Sequence, residues 1–128
     1  MSTRCQIMFE GTDAVLYQHS DGYCEGVLPT LLPFVKEFYD RRGEDPEYMA
    51  ARLLQRLIGD DKSFTGFGVG VGLHSDIEFL YTVKSGGAVL VEAMRYGKPK
   101  GRKIAEFPLG TSPDVAIAEI KRLQEAEE

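Results

Sequence analysis

The chain's two histidines lie in identical tripeptides, His19-Ser20-Asp21 and His74-Ser75-Asp76. Imidazole and carboxylate are ligands for zinc, iron or manganese, and a carboxylate beside an imidazole can also fix its orientation. If His19 and His74 end neighbouring strands, both point at one cavity, with Asp21 and Asp76 as ligands or orienting groups. The plainer reading is that the aspartates form turns and each histidine is an exposed strand end. His19 and His74 are thus the metal candidates, while the expectation is no cofactor, with a divalent metal as the alternative. Tyr23 and Glu25, in the loop after the first tripeptide, complete a candidate ligand-binding set of His19, Asp21, Tyr23, Glu25, His74 and Asp76. Cys24 stands close to His19 and Asp21, but residues so near in sequence seldom reach the geometry of a nucleophile, a base and its orienting group.

A second group is basic. Arg95, Lys98, Lys100, Arg102 and Lys103 surround a Gly/Pro loop in a chain of formal net charge -5. Such a patch can grip phosphate, nucleic acid or an acidic partner; it can equally be a hairpin loop kept soluble by its lysines. The acidic balance argues against nucleic-acid binding anywhere but this loop.

A third feature bears on both tripeptides. From Thr65 to Asp76, Phe67, Val69, Val71 and Leu73 alternate with Gly66, Gly68, Gly70 and Gly72. That period of two marks a strand with one apolar face and one bare face, and His74 falls just past the bare face. Either a helix packs unusually close on the glycines or a ligand approaches the backbone there. The helix version predicts that alanine is destabilising at Gly68 and Gly70 and tolerated at Gly72. The glycines are not a phosphate loop, because a strand rather than a helix follows them.

The elements that would position these residues follow in order. Arg4–Glu10 and Ala14–His19 read as a hairpin across Gly11-Thr12-Asp13. Ser20 to Gly26 reads as a loop, bracketed by two glycines and an Asp, that needs special backbone angles. A helix follows, capped by Thr30, with Pro33 in its first turn and Leu31, Leu32, Val35, Phe38 and Tyr39 on its apolar stripe; Gly43 ends it. The next helix has Asp45 as N-cap, Pro46 first and Gly59 as its stop. Four strands then follow: the glycine-rich one, Ile77–Val83, Ala88–Tyr96 and Arg102–Phe107. Ser112 and Pro113 open the last helix, whose stripe is Val115, Ile117, Ala118, Ile120 and Leu123. The order β-β-α-α-β-β-β-β-α predicts a single α+β domain over residues 1–128. Its mainly antiparallel sheet has about six strands, a four-strand meander plus the hairpin, with helices packed on one face.

Size and composition agree with that. A chain of 128 residues buries roughly two-thirds of its unfolded surface, enough for one core. No apolar run approaches the roughly 20 residues that span a bilayer, and the first residues lack a signal-peptide apolar region. The expected location is the cytoplasm, where Cys5 and Cys24 stay reduced.

Ser2-Thr3-Arg4-Cys5-Gln6-Ile7, followed by Tyr17-Gln18-His19-Ser20-Asp21-Gly22-Tyr23-Cys24-Glu25-Gly26-Val27, resembles a group of small uncharacterised bacterial and phage proteins. They share a Ser-Thr-Arg start and a Tyr-x-His-x-Asp-Gly-Tyr-Pro-Glu-Gly-Val loop. The likeness stops at Val27 and departs at Cys24, where the group has proline, so a required thiol there is disfavoured. The resemblance carries no activity. It implies that the His19–Gly26 loop is the place to look, and a phage or mobile-element accessory role on a host partner. The expectation is a small binding protein with a protein partner or a second copy of itself, no membrane contact and no covalent catalysis. The alternative is a metal-dependent hydrolase or small-ligand enzyme at the two tripeptides.

Overall fold

The computed structural model describes residues 3–94 and 101–126. The elements are β1 (Cys5–Phe9), β2 (Val15–Gln18), α1 (Cys24–Arg41), α2 (Pro46–Ile58), β3 (Phe67–Gly70), β4 (Phe79–Val83), β5 (Val89–Ala93), β6 (Arg102–Phe107) and α3 (Pro113–Ala126). The fold class and the order of strands and helices are those expected.

The sheet order is β3-β2-β1-β4-β5-β6. Every neighbouring pair is antiparallel except β1 and β4, which run parallel with Ile7 opposite Tyr81. The four-strand meander expected from short connections is therefore corrected: only β4, β5 and β6 form one. β3 instead extends the hairpin by pairing with β2, Tyr17 opposite Gly68. The cause is burial. β1 and β4 bury residues on both faces, including Gln6 and Ile7 of β1 and Leu80 and Tyr81 of β4. Strands apolar on both sides belong in the middle of a sheet.

One face carries the main core. Cys5, Ile7, Phe9, Leu16, Tyr81, Val83, Val89, Val91 and Phe107 meet Leu28, Leu31 and Val35 of α1, Leu53 of α2 and Ile120 of α3. On α3 the buried positions are Ala116 and Ile120, and Val115, expected inside, is exposed.

Helix α1 starts at Cys24, well before the expected cap at Thr30, and includes both Pro29 and Pro33. An interior proline costs about 3 kcal/mol through its lost N–H bond and its clash with a preceding carbonyl. Both prolines are exposed, so the carbonyls they leave unpaired face water. The extra turns bury Cys24, Val27 and Leu28, each worth about 1.5–3 kcal/mol for a large apolar side chain, which offsets the prolines. The other helix starts are as expected. The Asp45 carboxylate accepts the Tyr48 N–H at 3.3 Å, and the Ser112 hydroxyl accepts the Val115 N–H at 3.2 Å.

Between β3 and β4 the chain crosses the sheet's other face. Residues 71–78 arch from the β3 edge over β2 and β1 to reach β4, and Ile77 is buried in the arch. The glycine-alternating strand is thus shorter than expected, ending at Gly70.

Candidate functional site

The arch brings the two histidines to the same ring. On the open face of β2, Tyr17 and His19 lie two residues apart, on one side of the strand. The Tyr17 Oη lies 2.9 Å from His19 Nδ1. His74 arrives from the arch and stacks on Tyr17, ring centroids 4.7 Å apart at 29°. Beyond His74, its Nδ1 is 4.0 Å from Asp76 Oδ1, and Asp76 Oδ2 pairs with Arg4. The result is a row, His19, Tyr17, His74, Asp76, Arg4, across the sheet at the start of β1 and β4.

Gln6 sets the position of the row. Its side chain is buried on the same face, opposite Tyr17 in register. Its Nε2 donates to the Gly72 carbonyl at 3.1 Å, and its Oε1 accepts the His74 N–H at 2.8 Å. A buried amide satisfied by two backbone groups of the arch holds those groups in register.

Burial raises the Tyr17 phenol above its ordinary value, with Arg4 pulling it down and Asp76 pushing it up. Tyr17 is therefore a neutral phenol at neutral pH. A neutral phenol can donate to Nδ1 or accept from it, so the direction of this bond follows the His19 tautomer.

The remaining candidates divide. Asp21 has a left-handed φ of 60° and lines a cavity of about 470 Å³ on the helix side of the sheet, with Gln18, Gly26 and Arg56. Tyr23 is the N-cap of α1, and Glu25 lies in its first turn, both exposed. Asp76 joins the row, while Asp21, Tyr23 and Glu25 belong to the α1 lead-in. The special backbone angle expected in this loop falls on Asp21, while Gly22 and Gly26 are explained by close approach. A Cβ on Gly26 would lie 2.4 Å from the Asp21 carbonyl oxygen, and one on Gly22 would lie 2.8 Å from Cys5 Cβ.

Nothing packs on the glycine face of β3, correcting the expected helix contact. A Cβ at Gly70 or Gly72 meets nothing within 4 Å, and one at Gly68 meets only Tyr17 Cβ at 4.0 Å. The helices lie on the opposite side of the sheet.

Cys24 is buried at the first position of α1, and burial raises its thiol above the ordinary value. A poised nucleophile would show the reverse. Among the described residues no group of three or more His, Cys, Asp or Glu side chains is placed to hold a metal ion. Of the basic patch, Arg95, Lys98 and Lys100 lie outside the described residues. Arg102 and Lys103 open β6, with Lys103 Nζ 3.7 Å from Glu106. No described helix is long and apolar enough to cross a membrane.

The sequence pattern missed Tyr17, Gln6 and Arg4 as members of the site. Tyr17 had a usable signal, an aromatic one strand period before His19. Gln6 and Arg4 had none, because their partners lie 66 to 72 residues away. No protein-family model, no curated protein and no solved structure matches this chain.

Proposed function

We propose that this protein acts by binding a protein partner, which adds an extended strand to the free edge of β3. The observation that carries the reading is that β3 is an edge strand with no charged residue of its own and with exposed apolar residues on and beside it. Val69 is 59 % exposed, Val71 83 %, and Phe64 fully so. Edge strands of monomeric proteins are usually blunted by charge, proline or a bulge. The opposite edge, β6, follows that habit, with Arg102, Lys103 and Glu106 along it. β3 has none of these devices.

The ladder leaves the edge ready to pair. His19 N–H donates to Gly66 O at 2.9 Å, which makes Gly68 and Gly70 the inward-bonded positions opposite Tyr17 and Val15. By the antiparallel alternation, Phe67 and Val69 then turn their N–H and C=O groups outward. A second copy of β3 would set glycine against glycine on the outer face and gain little there. A partner strand with bulky apolar residues at alternate positions would fill the bare face beside Tyr17 and His74. Such a surface suits the accessory role that the likeness of residues 17–27 implies.

The test uses a fluorescent peptide of alternating threonine and phenylalanine. Binding by anisotropy, with new hydrogen-exchange protection at the Phe67 and Val69 amides, supports the reading. Val69→Pro, which removes one outward N–H, should abolish it. Binding that is absent, or unchanged in Val69→Pro, overturns it. A concentration-dependent dimer that Val69→Pro dissolves would make the occupant a second copy of the chain.

A further inference from the structure

We propose that the cleft between α1 and α2 is a binding site for a small polyphosphate anion. The two helices form a short hairpin, with Arg42 meeting Tyr48 near the turn and Phe34 meeting Arg56 further along. Between them is a cleft of about 440 Å³, within the usual size of small-ligand pockets. Phe34 and Phe38, both largely buried, form its floor. Arg41 and Arg42 from the end of α1 and Arg52 and Arg56 from α2 form its walls.

The charge is the reverse of the protein's own. Acidic residues outnumber lysine and arginine 20 to 15 in the chain, yet four arginines line this cleft against one acid, Glu37. Arg42 is already committed: both Nε and Nη2 reach Asp45 Oδ2, at 3.2 and 3.0 Å, and its guanidinium lies over Tyr48. The other three are less engaged. Arg41 Nε and Arg56 Nη2 stand 3.7 and 3.8 Å from the same Glu37 oxygen, and Arg52 donates from Nη1 to Gln55 at 3.0 Å. Distances near 3.8 Å are too long for hydrogen bonds. Glu37 therefore balances charge between two guanidinium groups without consuming their N–H donors.

Three arginines with spare donors, converging from two helices, favour phosphate, because the planar guanidinium fork matches phosphate oxygens two at a time. Glu37 repels any anion that enters. The arginines outnumber that carboxylate, so the net attraction is favourable and grows with the ligand's charge, and a chain of phosphates, which can reach several arginines, gains more than a single one. The periodicity of Phe34, Phe38 and Arg41 on α1 and of Arg52 and Arg56 on α2 places each set on one helix face.

Isothermal titration of the full chain with inorganic pyrophosphate, and separately with ATP, tests this. Both should bind at one site, more weakly as salt is raised, because exposed charges are screened. The charge reversal Arg52→Glu with Arg56→Glu should lower affinity tenfold or more. Arg56 also ties the two helices through Glu37 and Phe34, so Arg41→Gln serves as a second variant. Its side chain is 80 % exposed, its fold should be intact, and its affinity should fall several-fold. Glu37→Gln should tighten binding. Equal affinity for the two probes supports recognition of the phosphates alone; tighter ATP binding adds a contact to the ring. The proposal is overturned if the native chain binds neither probe at low salt, if only ATP binds, or if Arg41→Gln and the double variant keep full affinity. Arg56 also lines the cavity that Phe67 borders, so Arg41→Gln is the variant whose outcome is independent of the β3 edge.

Discussion

The backbone N–H of His74 donates to the buried side chain of Gln6, 68 residues earlier, at 2.8 Å. The same amide donates to Gly72 O, so one side chain in the central strand holds both ends of the turn that presents His74 to Tyr17.

Gln6→Ala should therefore loosen the arch. It removes two hydrogen bonds to the backbone of the exposed residues Gly72 and His74, about 0.5–1.5 kcal/mol each. Denaturant titration should show that loss. Hydrogen exchange at the His74 amide should quicken by more than that at the β4 amides. Equal quickening everywhere would mean that Gln6 serves only global stability.

Glycine substitutions should separate the α1 lead-in from the β3 edge. Gly26→Ala drives a methyl against the Asp21 carbonyl and Gly22→Ala drives one against Cys5, overpacking that typically costs about 1–3 kcal/mol. Gly70→Ala meets open space and narrows the unfolded ensemble, so its melting temperature should stay the same or rise slightly. A marked loss at Gly70 would reveal a contact there that the fold does not show.

Metal analysis should find the purified chain far below one equivalent of zinc, iron or manganese. Tyr17 engages both imidazoles, and Asp76 is engaged by Arg4. Added chelator should leave the melting temperature unchanged. Stoichiometric metal that His19→Ala removes would restore the metal reading of the two tripeptides.

Alkaline pH should destabilise the fold through its thiols. Burial, then the nearby Cys24, pushes Cys5 up to about 12, and burial also raises Cys24. A group raised in the fold stabilises fully below its unfolded value, about 8.5 for a thiol, and loses that contribution as pH climbs to the folded value. Tyr39 is likewise raised to about 12, by burial first and then by its hydrogen bond to Glu44. Stability measured in urea should be level up to about pH 8.5 and fall beyond it. Both cysteines should resist iodoacetamide at pH 8 until the chain unfolds; rapid labelling of Cys24 in the native state would contradict its burial.

Much of the fold could be read locally. Asp45-Pro46, Ser112-Pro113 and the glycines at 43 and 59 mark helix ends, because a cap satisfies backbone groups within one turn of itself. The strands show in alternation and in runs of Val, Leu and Phe, since the side-chain period of a strand is a property of its own backbone. Hence α+β class, element order and approximate boundaries were all legible.

Pairing and contact were not. That β4 lies beside β1, and β3 beside β2, follows from which strands bury both faces, a property of the assembled sheet. Helix α1 begins at Cys24 through two prolines because the core it covers outweighs them, a balance no local propensity contains. The recurrence of His-Ser-Asp hinted at convergence, but that both rings meet Tyr17 depends on an arch held by Gln6 from the far end of the sequence. The arginine cleft exists only where α1 meets α2; along the chain its members look like ordinary solvated charges. Hydrogen bonds that cap a turn act over a few residues and leave a mark in sequence, whereas burial and side-chain clamps act across the closed fold and appear only once it has formed.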